Sequence, residues 1–335
     1  MAYITLNKNN FFHNLDVIAN KTKSKDKIAL VLKDNAYGHG LLEVATMAQE
    51  YGIKRAVVKS HYEAKKIEDY FEYILVLAEI PHAKSEKIRY TINDINAIEA
   101  FPHATKVALK VDTGMHRNGI AIDALETALE KIKKQGLNLE EVFTHHRSAD
   151  ELTSEWFWQN ALFAKVKAHV ISLGYKNVKF HSANSASLFR YVDFSEDMAR
   201  VGIAAYGCLQ RDEAFAKIDL KPVLSLYAQK ISSRTLLEGS CVGYGAKYTT
   251  REESIISNYD LGYGDGFFRI CSNNYRTPHA KELVGRISMD NCSFLCNDEE
   301  LLIFNDANQM AQSAQTISYE VLTSLHPLLK RKIKS

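Results

Sequence analysis

The sequence has little net charge and no long apolar run. Its 335 residues include 42 basic and 40 acidic side chains, for a net charge of +2. This balance gives no reason to expect a nucleic acid or a membrane surface as a partner. No uninterrupted apolar span is long enough to cross a bilayer. The first residues run into the polar stretch Lys8-Asn9-Asn10 without the pattern of a signal peptide. These features predict a cytoplasmic protein.

Cysteine is scarce as well, with five residues in the whole chain. Their number is odd, and no two of them form the C-x2-C pair that is typical of zinc sites. We therefore expect reduced thiols and no bound metal. The cysteines are Cys208, Cys241, Cys271, Cys292 and Cys296.

The chain is long enough for one large domain and a smaller one. Up to residue 220, strand-sized apolar runs alternate with helix-sized amphipathic stretches. Eight such units in about 200 residues predict an α/β fold, a (β/α)8 TIM-type barrel over residues 1–220. An open doubly wound sheet is the alternative, and it would need fewer strands or a visible reversal of their order. The predicted strands are Lys27–Lys33, Arg55–Ser60, Tyr73–Glu79, Arg89–Ile92, Lys106–Asp112, Glu141–His145, Val178–Ser182 and Asp197–Ile203.

Helical periodicity is clearest in three segments of this half. They cover residues 9–20, 121–135 and 154–173. In the second, Leu125 and Leu129 lie on one face, and Gly136 follows as a stop signal. The connection between the third and fourth strands is short.

The pattern changes near Lys221, where helical periodicity fades. Short β-type runs separated by glycine-rich turns predict a smaller, mostly-β domain over residues 221–335. The first few residues of the chain are candidates for pairing with it. One helix is predicted over Ser318–Leu325, and the basic tail Lys330–Lys332 is expected to be solvated. The β-type runs are Leu224–Ser233, Ser254–Asp260, Glu282–Ser288 and Asn291–Cys296.

Lys33 lies where the first barrel strand enters a loop that contains Gly38 and Gly40. Most lysines at strand ends are surface residues whose stem covers apolar neighbours. The alternative is an amine that is partly desolvated for chemistry. The local sequence alone favours the surface interpretation.

Other strand ends change that balance, because the active sites of such barrels lie at the carboxyl ends of the strands. Ser185 and Gly202 follow the seventh and eighth strands, where barrels often bind phosphate. Each alone is equally explained by a helix cap or a tight turn, but together they favour a phosphate site. Arg200, His145 and Arg117 add a cationic side. A lysine, a phosphate site and an arginine in one barrel mouth suggest pyridoxal phosphate, held as a lysine Schiff base.

The sequence resembles the alanine racemases over almost its whole length. The resemblance is carried by several multi-residue motifs in the family's order. Lys33–Gly40 is similar to the cofactor-lysine signature, with Asp34 in place of the usual Ala, and Lys110–Arg117 is similar to the segment with a carbamylated lysine and an arginine. His181–Ala186 and Arg200–Ile203 are similar to the phosphate and pyridine-nitrogen contacts. Val242–Tyr248 is similar to the segment with the second catalytic residue, and Gly262–Gly266 and Gly285–Asp290 are similar to motifs at the substrate entrance.

The resemblance implies a pyridoxal-phosphate-dependent amino-acid racemase, an isomerase that interconverts L- and D-alanine and supplies D-alanine for bacterial peptidoglycan. Lys33 and Tyr244 would exchange the Cα proton on opposite faces, with Lys33 as the cofactor Schiff base and Lys110 carbamylated. Tyr244 would come from the partner in a head-to-tail homodimer. The implied cofactor contacts are Lys33, Tyr37, His145, Asn184, Ser185, Arg200, Gly202 and Ile203, and the implied substrate contacts are Arg117, Tyr263 and Met289.

The sequence also departs from the family pattern. His146 replaces an aromatic residue, and Gly243 stands where serine is common. The chain ends soon after Leu329, so we do not expect the phosphate contact that a late tyrosine makes in some relatives. Three other functions remain open, namely a racemase of broader specificity, a decarboxylase, and a non-enzymatic cofactor carrier. Carriers of this kind usually lack a β-domain, which counts against the last.

Overall fold

The barrel is formed by eight parallel strands, each of which overlaps one of the predicted strands. The computed structural model describes residues 1–81 and 85–335. After an N-terminal strand β1 (Tyr3–Asn7), the barrel strands β2 to β9 are Ile28–Val31, Arg55–Val58, Tyr73–Val76, Ile88–Ile92, Lys106–Lys110, Asn138–Phe143, Lys179–His181 and Ala199–Val201. The predicted (β/α)8 barrel is confirmed, and the open doubly wound sheet is wrong.

The barrel is almost completely closed by hydrogen bonds. Neighbouring strands pair in sequence order from β2 to β8, and β9 returns to pair with β2, with Ala199 opposite Ile28. Between β8 and β9 the connection is looser. There, the Arg200 amide donates to the Ala183 carbonyl at 2.9 Å, and the Asp197 amide donates to the Phe180 carbonyl at 3.2 Å. Closure brings the ends of β2, β8 and β9 to one rim.

Helices cover the outside of the barrel. In the helix Leu125–Lys134 the predicted apolar stripe, which includes Leu125 and Leu129, is buried against the strands. The predicted short connection after β4 includes residues 82–84, which lie outside the described part of the chain. The helices of this half are α1 (Lys8–Thr22), α2 (Leu41–Tyr51), α3 (His61–Ile67), α4 (Leu125–Lys134), α5 (Glu155–Ser172) and α6 (Ser185–Leu188), with 3-10 turns at Lys25–Lys27, Ile95–Ala100 and Ile122–Ala124.

The second half of the chain is mostly β. The elements are β10 (Leu224–Leu236), β11 (Cys241–Val242), β12 (Tyr248–Thr249), β13 (Ser254–Tyr259), β14 (Leu283–Val284), β15 (Cys292–Phe294), β16 (Glu300–Phe304), α7 (Ala307–Ala314), α8 (Ser318–Ser324) and β17 (Lys330–Lys334), with 3-10 turns at Tyr244–Ala246, Tyr263–Asp265 and Arg269–Cys271. The main sheet has the order β14-β15-β13-β10-β1-β17, and β16 pairs with β10. The N-terminal strand β1 belongs to this sheet, where Ile4 lies opposite Leu226.

The basic tail is not simply solvated, and that prediction was wrong. Strand β17 pairs in parallel with β1, with Tyr3 opposite Lys330 and Leu6 opposite Ile333. The lysine side chains stay exposed, but the guanidinium of Arg331 donates two hydrogen bonds to the Gly38 carbonyl. Backbone pairing needs no apolar side chains, so the pattern of hydrophobic residues does not indicate this strand.

None of the helices in residues 1–81 and 85–335 is both long enough and apolar enough to span a membrane.

Candidate active site

A cavity of about 800 Å³ opens at the carboxyl ends of the barrel strands. It gathers residues from distant parts of the sequence, because the ends of parallel strands meet at one rim. All the barrel residues predicted for the site line it. These are Lys33, Tyr37, Lys110, Arg117, His145, Asn184, Ser185, Arg200, Gly202 and Ile203.

Lys33 opens a turn with left-handed backbone. The four residues that follow it, Asp34 to Tyr37, have φ between 48° and 56°. This conformation costs roughly 1–2 kcal/mol per residue, although Asp and Asn tolerate it better than others. At Ala36 and Tyr37 the strain is therefore real, and such strain persists only where the surroundings hold it. The sequence predicted a glycine turn here but not this left-handed run.

Contacts from two other parts of the chain hold this turn. The Asp34 amide donates to the Glu63 carboxylate at 2.7 Å. The Gly38 carbonyl accepts from Nε and Nη2 of Arg331 at 3.0 and 2.8 Å. A Cβ on Gly38 would lie 1.8 Å from the carbonyl oxygen of Leu322, so only glycine fits there. The β-domain thus touches the turn that presents Lys33.

The Lys33 amine is accessible from the cavity. Its side chain is 34% exposed, and Nζ lies 3.5 Å from Oδ2 of Asp34. The other oxygen of that carboxylate is 3.5 Å from Nζ of Lys59. Asp34, which departs from the family motif, therefore lies between two lysines.

Ser185 connects the loops that follow β8 and β9. Its Oγ accepts hydrogen bonds from the amides of Gly202 at 3.1 Å and Ala204 at 3.3 Å. The hydroxyl proton remains available to donate to an anion. The cap of α6 is Asn184 rather than Ser185, since its side chain accepts from the Ser187 amide at 2.9 Å.

Tyr37 packs directly over Gly202. A Cβ on Gly202 would lie 2.9 Å from Cε2 of the Tyr37 ring, so the glycine permits this approach. Burial raises the pKa of Tyr37 well above its ordinary value, which keeps its hydroxyl protonated. The hydroxyl is therefore a donor beside the Ser185 loop.

Arg200 is the buried cation of the site. Its Nη2 donates to the carbonyls of Thr144 at 2.8 Å and Ser182 at 3.2 Å, and Nη1 lies 2.5 Å from Nδ1 of His181. Burial lowers its pKa to about 10, so it keeps its charge at neutral pH. Burial and the Arg200 charge hold the pKa of His145 well below its ordinary value, so that imidazole is neutral.

Lys110 lies beside Arg117 in the cavity wall. Its ammonium donates a short hydrogen bond to the side-chain oxygen of Asn118. Burial, together with the charges of Arg117 and Arg200, lowers its pKa to about 8. A substantial fraction of this amine is therefore neutral just above neutral pH.

His146, one of the departures from the family, supports the short helix α6. Its Nδ1 lies 2.7 Å from Oγ of Ser187, and its ring packs against Trp156. Burial lowers its pKa to about 4, so the ring is neutral.

Tyr319 was not predicted as a site residue, yet it lines the cavity. It comes from α8, and its ring centroid lies 5.5 Å from that of Tyr37. The site therefore contains a late tyrosine, which we did not expect from the sequence. Helix α8 was predicted, but its own sequence does not indicate that it docks on the barrel mouth.

The predicted residues of the β-domain lie elsewhere. Tyr244 is 67% exposed, Met289 56% and Tyr263 43%, and none is among the described residues that line the cavity. We call these three residues the exposed face. Residues 286–289, which include Met289, contact the turns of the other two. The Tyr263 amide donates to the Ser288 carbonyl at 3.0 Å, and the turn of Tyr244 packs against Arg286.

Comparison with known proteins agrees with this architecture. The family described as "Alanine racemase, N-terminal domain" matches residues 6–210, and "Alanine racemase, C-terminal domain" matches residues 223–333. An alanine racemase of Nitratiruptor is 47% identical over 335 residues, covering 99% of each chain. A solved alanine racemase of Clostridium difficile superposes with a TM-score of 0.90 at 26% identity, covering 99% of this chain and 95% of that one. A histidine racemase of Leuconostoc mesenteroides, at 24% identity and a TM-score of 0.86, covers 100% of this chain and 98% of its own and shares the fold. The chain belongs to the alanine racemase family.

Proposed function

We propose that this protein interconverts L- and D-alanine by a two-base mechanism with pyridoxal phosphate. The supporting observation is that one cavity gathers an accessible lysine, the hydroxyls of Ser185 and Tyr37, and a buried arginine. Lys33, Ser185 and Arg200 come from three separate strand ends and meet around the same 800 Å³.

The residues fit this cofactor. Ser185 and Tyr37 supply hydroxyl donors for a phosphate, and Gly202 lacks the Cβ that would push Tyr37 away. Asn184 and Ile203 border the same loops, and His145 lies on the Arg200 side. When bound, the cofactor spreads the negative charge that develops as the Cα proton of the substrate leaves.

Lys33 holds the cofactor and exchanges the Cα proton on one face. Arg200 does not give up its proton, so it would donate a hydrogen bond to the ring nitrogen without protonating it. It would thereby limit the charge on the ring and disfavour side reactions. Arg117 binds the carboxylate of the substrate.

Tyr244 acts on the opposite face, from a second copy of the chain. Its exposure within one chain supports this assignment, because a base for a dry cavity must be covered in the working assembly. Tyr263 and Met289 lie on the same exposed face and would accompany it to the substrate entrance. The assembly is a head-to-tail homodimer.

We also propose that Lys110 is carbamylated. Its neutral amine attacks carbon dioxide, the new N–C bond forms as one C=O π bond opens, and the nitrogen releases a proton. The resulting carbamate is negative and pairs with Arg117, which relieves the crowding of cations around Lys110. This charge change orients Arg117 for the substrate.

The product D-alanine would serve bacterial peptidoglycan, and we propose the cytoplasm as the site of synthesis. Purified protein with added pyridoxal phosphate should turn yellow, and borohydride should bleach it and leave the cofactor on Lys33. It should also convert L-alanine to the D form. Without the tag on Lys33 or the conversion, the proposal fails. Carbon dioxide release would indicate a decarboxylase, and a panel of amino acids that includes histidine would detect broader specificity.

A further inference from the structure

A buried chain of side chains runs from the interior of the barrel to Arg200. The Tyr73 hydroxyl donates to Oε2 of Glu141 at 2.5 Å. Nε2 of His181 lies 3.3 Å from the same oxygen, and Nδ1 of His181 lies 2.5 Å from Nη1 of Arg200. All four residues are buried, with Glu141 1% and His181 0% exposed.

These contacts fix the position of the proton on the His181 ring. A guanidinium has only donors, so Nδ1 of His181 must accept from Arg200. The ring is neutral, since burial lowers its pKa, and its one proton is therefore on Nε2. Nε2 can then only donate, and the atom it faces is the Glu141 carboxylate. A buried carboxylate at this position thus selects the tautomer that Arg200 needs.

Packing on Phe143 holds the His181 ring and the Arg200 guanidinium in place. The Phe143 ring is stacked on His181 with centroids 4.8 Å apart and an interplanar angle of 8°. The guanidinium carbon of Arg200 lies 5.0 Å from the same ring centroid. His181 therefore cannot rotate away from Glu141 without losing its stacking and both hydrogen bonds.

We propose that Glu141 and Tyr73 are positioning residues for Arg200. Neither touches the cavity. Both act through His181, whose acceptor nitrogen they keep aimed at the guanidinium. The inference rests on the proposed function, in which Arg200 contacts the ring nitrogen of pyridoxal phosphate. It adds a network beneath that contact, which begins at Tyr73, the first residue of β4.

The test is a cycle of variants read by cofactor affinity. Glu141→Gln keeps the shape of the side chain but removes its charge, and charge-assisted hydrogen bonds are about twice as strong as neutral ones. Titration of the cofactor-free protein with pyridoxal phosphate should show a dissociation constant about fivefold higher for Glu141→Gln than for the wild type. In a His181→Asn background the same substitution should change the affinity less than about twofold, because the connection is already broken.

Glu140→Gln is the matched control. Glu140 is the neighbouring residue on β7, and its carboxylate accepts from Nε of Arg89 at 2.7 Å. It should change the affinity less than about twofold in both backgrounds, because its carboxylate bonds to Arg89, which packs on the ring face of Tyr73 and not on its hydroxyl. Equal losses for Glu141→Gln in both backgrounds would show a merely structural role and overturn the inference.

Two further measurements keep the inference testable if Glu141→Gln does not fold. Tyr73→Phe removes the hydroxyl at the other end of the chain and should show the same dependence on His181. Nitrogen-15 spectra of the unliganded protein should report the Nε2–H tautomer for His181, and an Nδ1–H tautomer would contradict the inference. If the wild-type protein binds no pyridoxal phosphate, the proposed function fails as well; if it binds and racemises while these variants behave like the control, only the inference fails.

Discussion

The cavity of the barrel and the exposed face of the β-domain provide the two proposed bases in opposite environments. Around the cavity, Ser185 and Arg200 are buried and fixed by hydrogen bonds that span three strand ends. On the exposed face, Tyr244 lies on a short turn with most of its side chain in solvent. The first environment is enclosed within one chain, and the second is open to solvent. This difference supports the proposal that a second copy of the chain completes the active site.

Lys33→Ala tests the barrel cavity and should have the largest effect on activity. It removes both the proposed attachment point of the cofactor and one of the two proposed bases, and a positioned proton transfer alone contributes roughly 10²–10⁴-fold. We expect no measurable racemisation in either direction, as followed by chiral chromatography. Lys54→Ala, at an exposed lysine, is the control. Measurable racemisation by the Lys33→Ala protein would contradict the role of Lys33.

Tyr244→Phe tests the exposed half. The ring is kept and only the hydroxyl is lost, so the fold should not change. Exchange of the Cα proton with deuterated water should fall roughly 10²–10⁴-fold for one enantiomer and much less for the other. Tyr248→Phe, four residues further along, is the matched control. An equal loss for both enantiomers would contradict the assignment of Tyr244 to one face.

Arg331→Ala tests one of the contacts between the β-domain and the barrel. Its guanidinium donates to Gly38 in the strained turn after Lys33, and hydrogen bonds from charged groups contribute roughly 1.5–3 kcal/mol. We expect a lower melting temperature and a several-fold faster release of pyridoxal phosphate. Lys330→Ala, at the exposed start of the same strand, should change neither. A lower melting temperature with unchanged release would mean that the tail stabilises the sheet but not the turn.

Lys110→Met has the smallest expected effect. It tests how far the charge of the buried Lys110 amine lowers the free energy of unfolding. Because the pKa of Lys110 is lowered from 10.5 to about 8, the folded protein loses this proton more readily than the unfolded chain. The free energy of unfolding of the wild type, relative to the variant, should therefore rise as the pH increases from about 7 towards 10.5. Melting temperatures in buffer free of carbon dioxide, with Lys133→Met as the control, should show a change of a few degrees. A difference that does not depend on pH would contradict the lowered pKa.

Much of the barrel half could be predicted from the sequence. Its strands are continuous apolar runs, and the geometry of a parallel barrel brings their ends together without further information. Ser185 and Gly202, 17 positions apart, could therefore be predicted to meet at one phosphate site. The resemblance to a known family added the roles that the pattern could not supply.

What could not be predicted depends on contacts between distant segments. Tyr319 reaches the cavity only because α8 docks on the turn after Lys33. The pairing of β17 with β1 uses backbone groups, which leave no trace in the side-chain pattern. Glu141 is a charged residue in a barrel strand, and only its partners Tyr73 and His181 explain its burial.

Mixing two inactive variants shows whether a working site takes residues from both chains. If each site combines Lys33 of one chain with Tyr244 of the other, Lys33→Ala and Tyr244→Ala proteins that are unfolded together and reassembled will form heterodimers with one intact site. Random pairing should restore about a quarter of the wild-type activity, because half of the dimers are mixed and each has one of two sites. Activity that stays at the level of the separate variants, although mixed dimers are detected, would contradict the shared site.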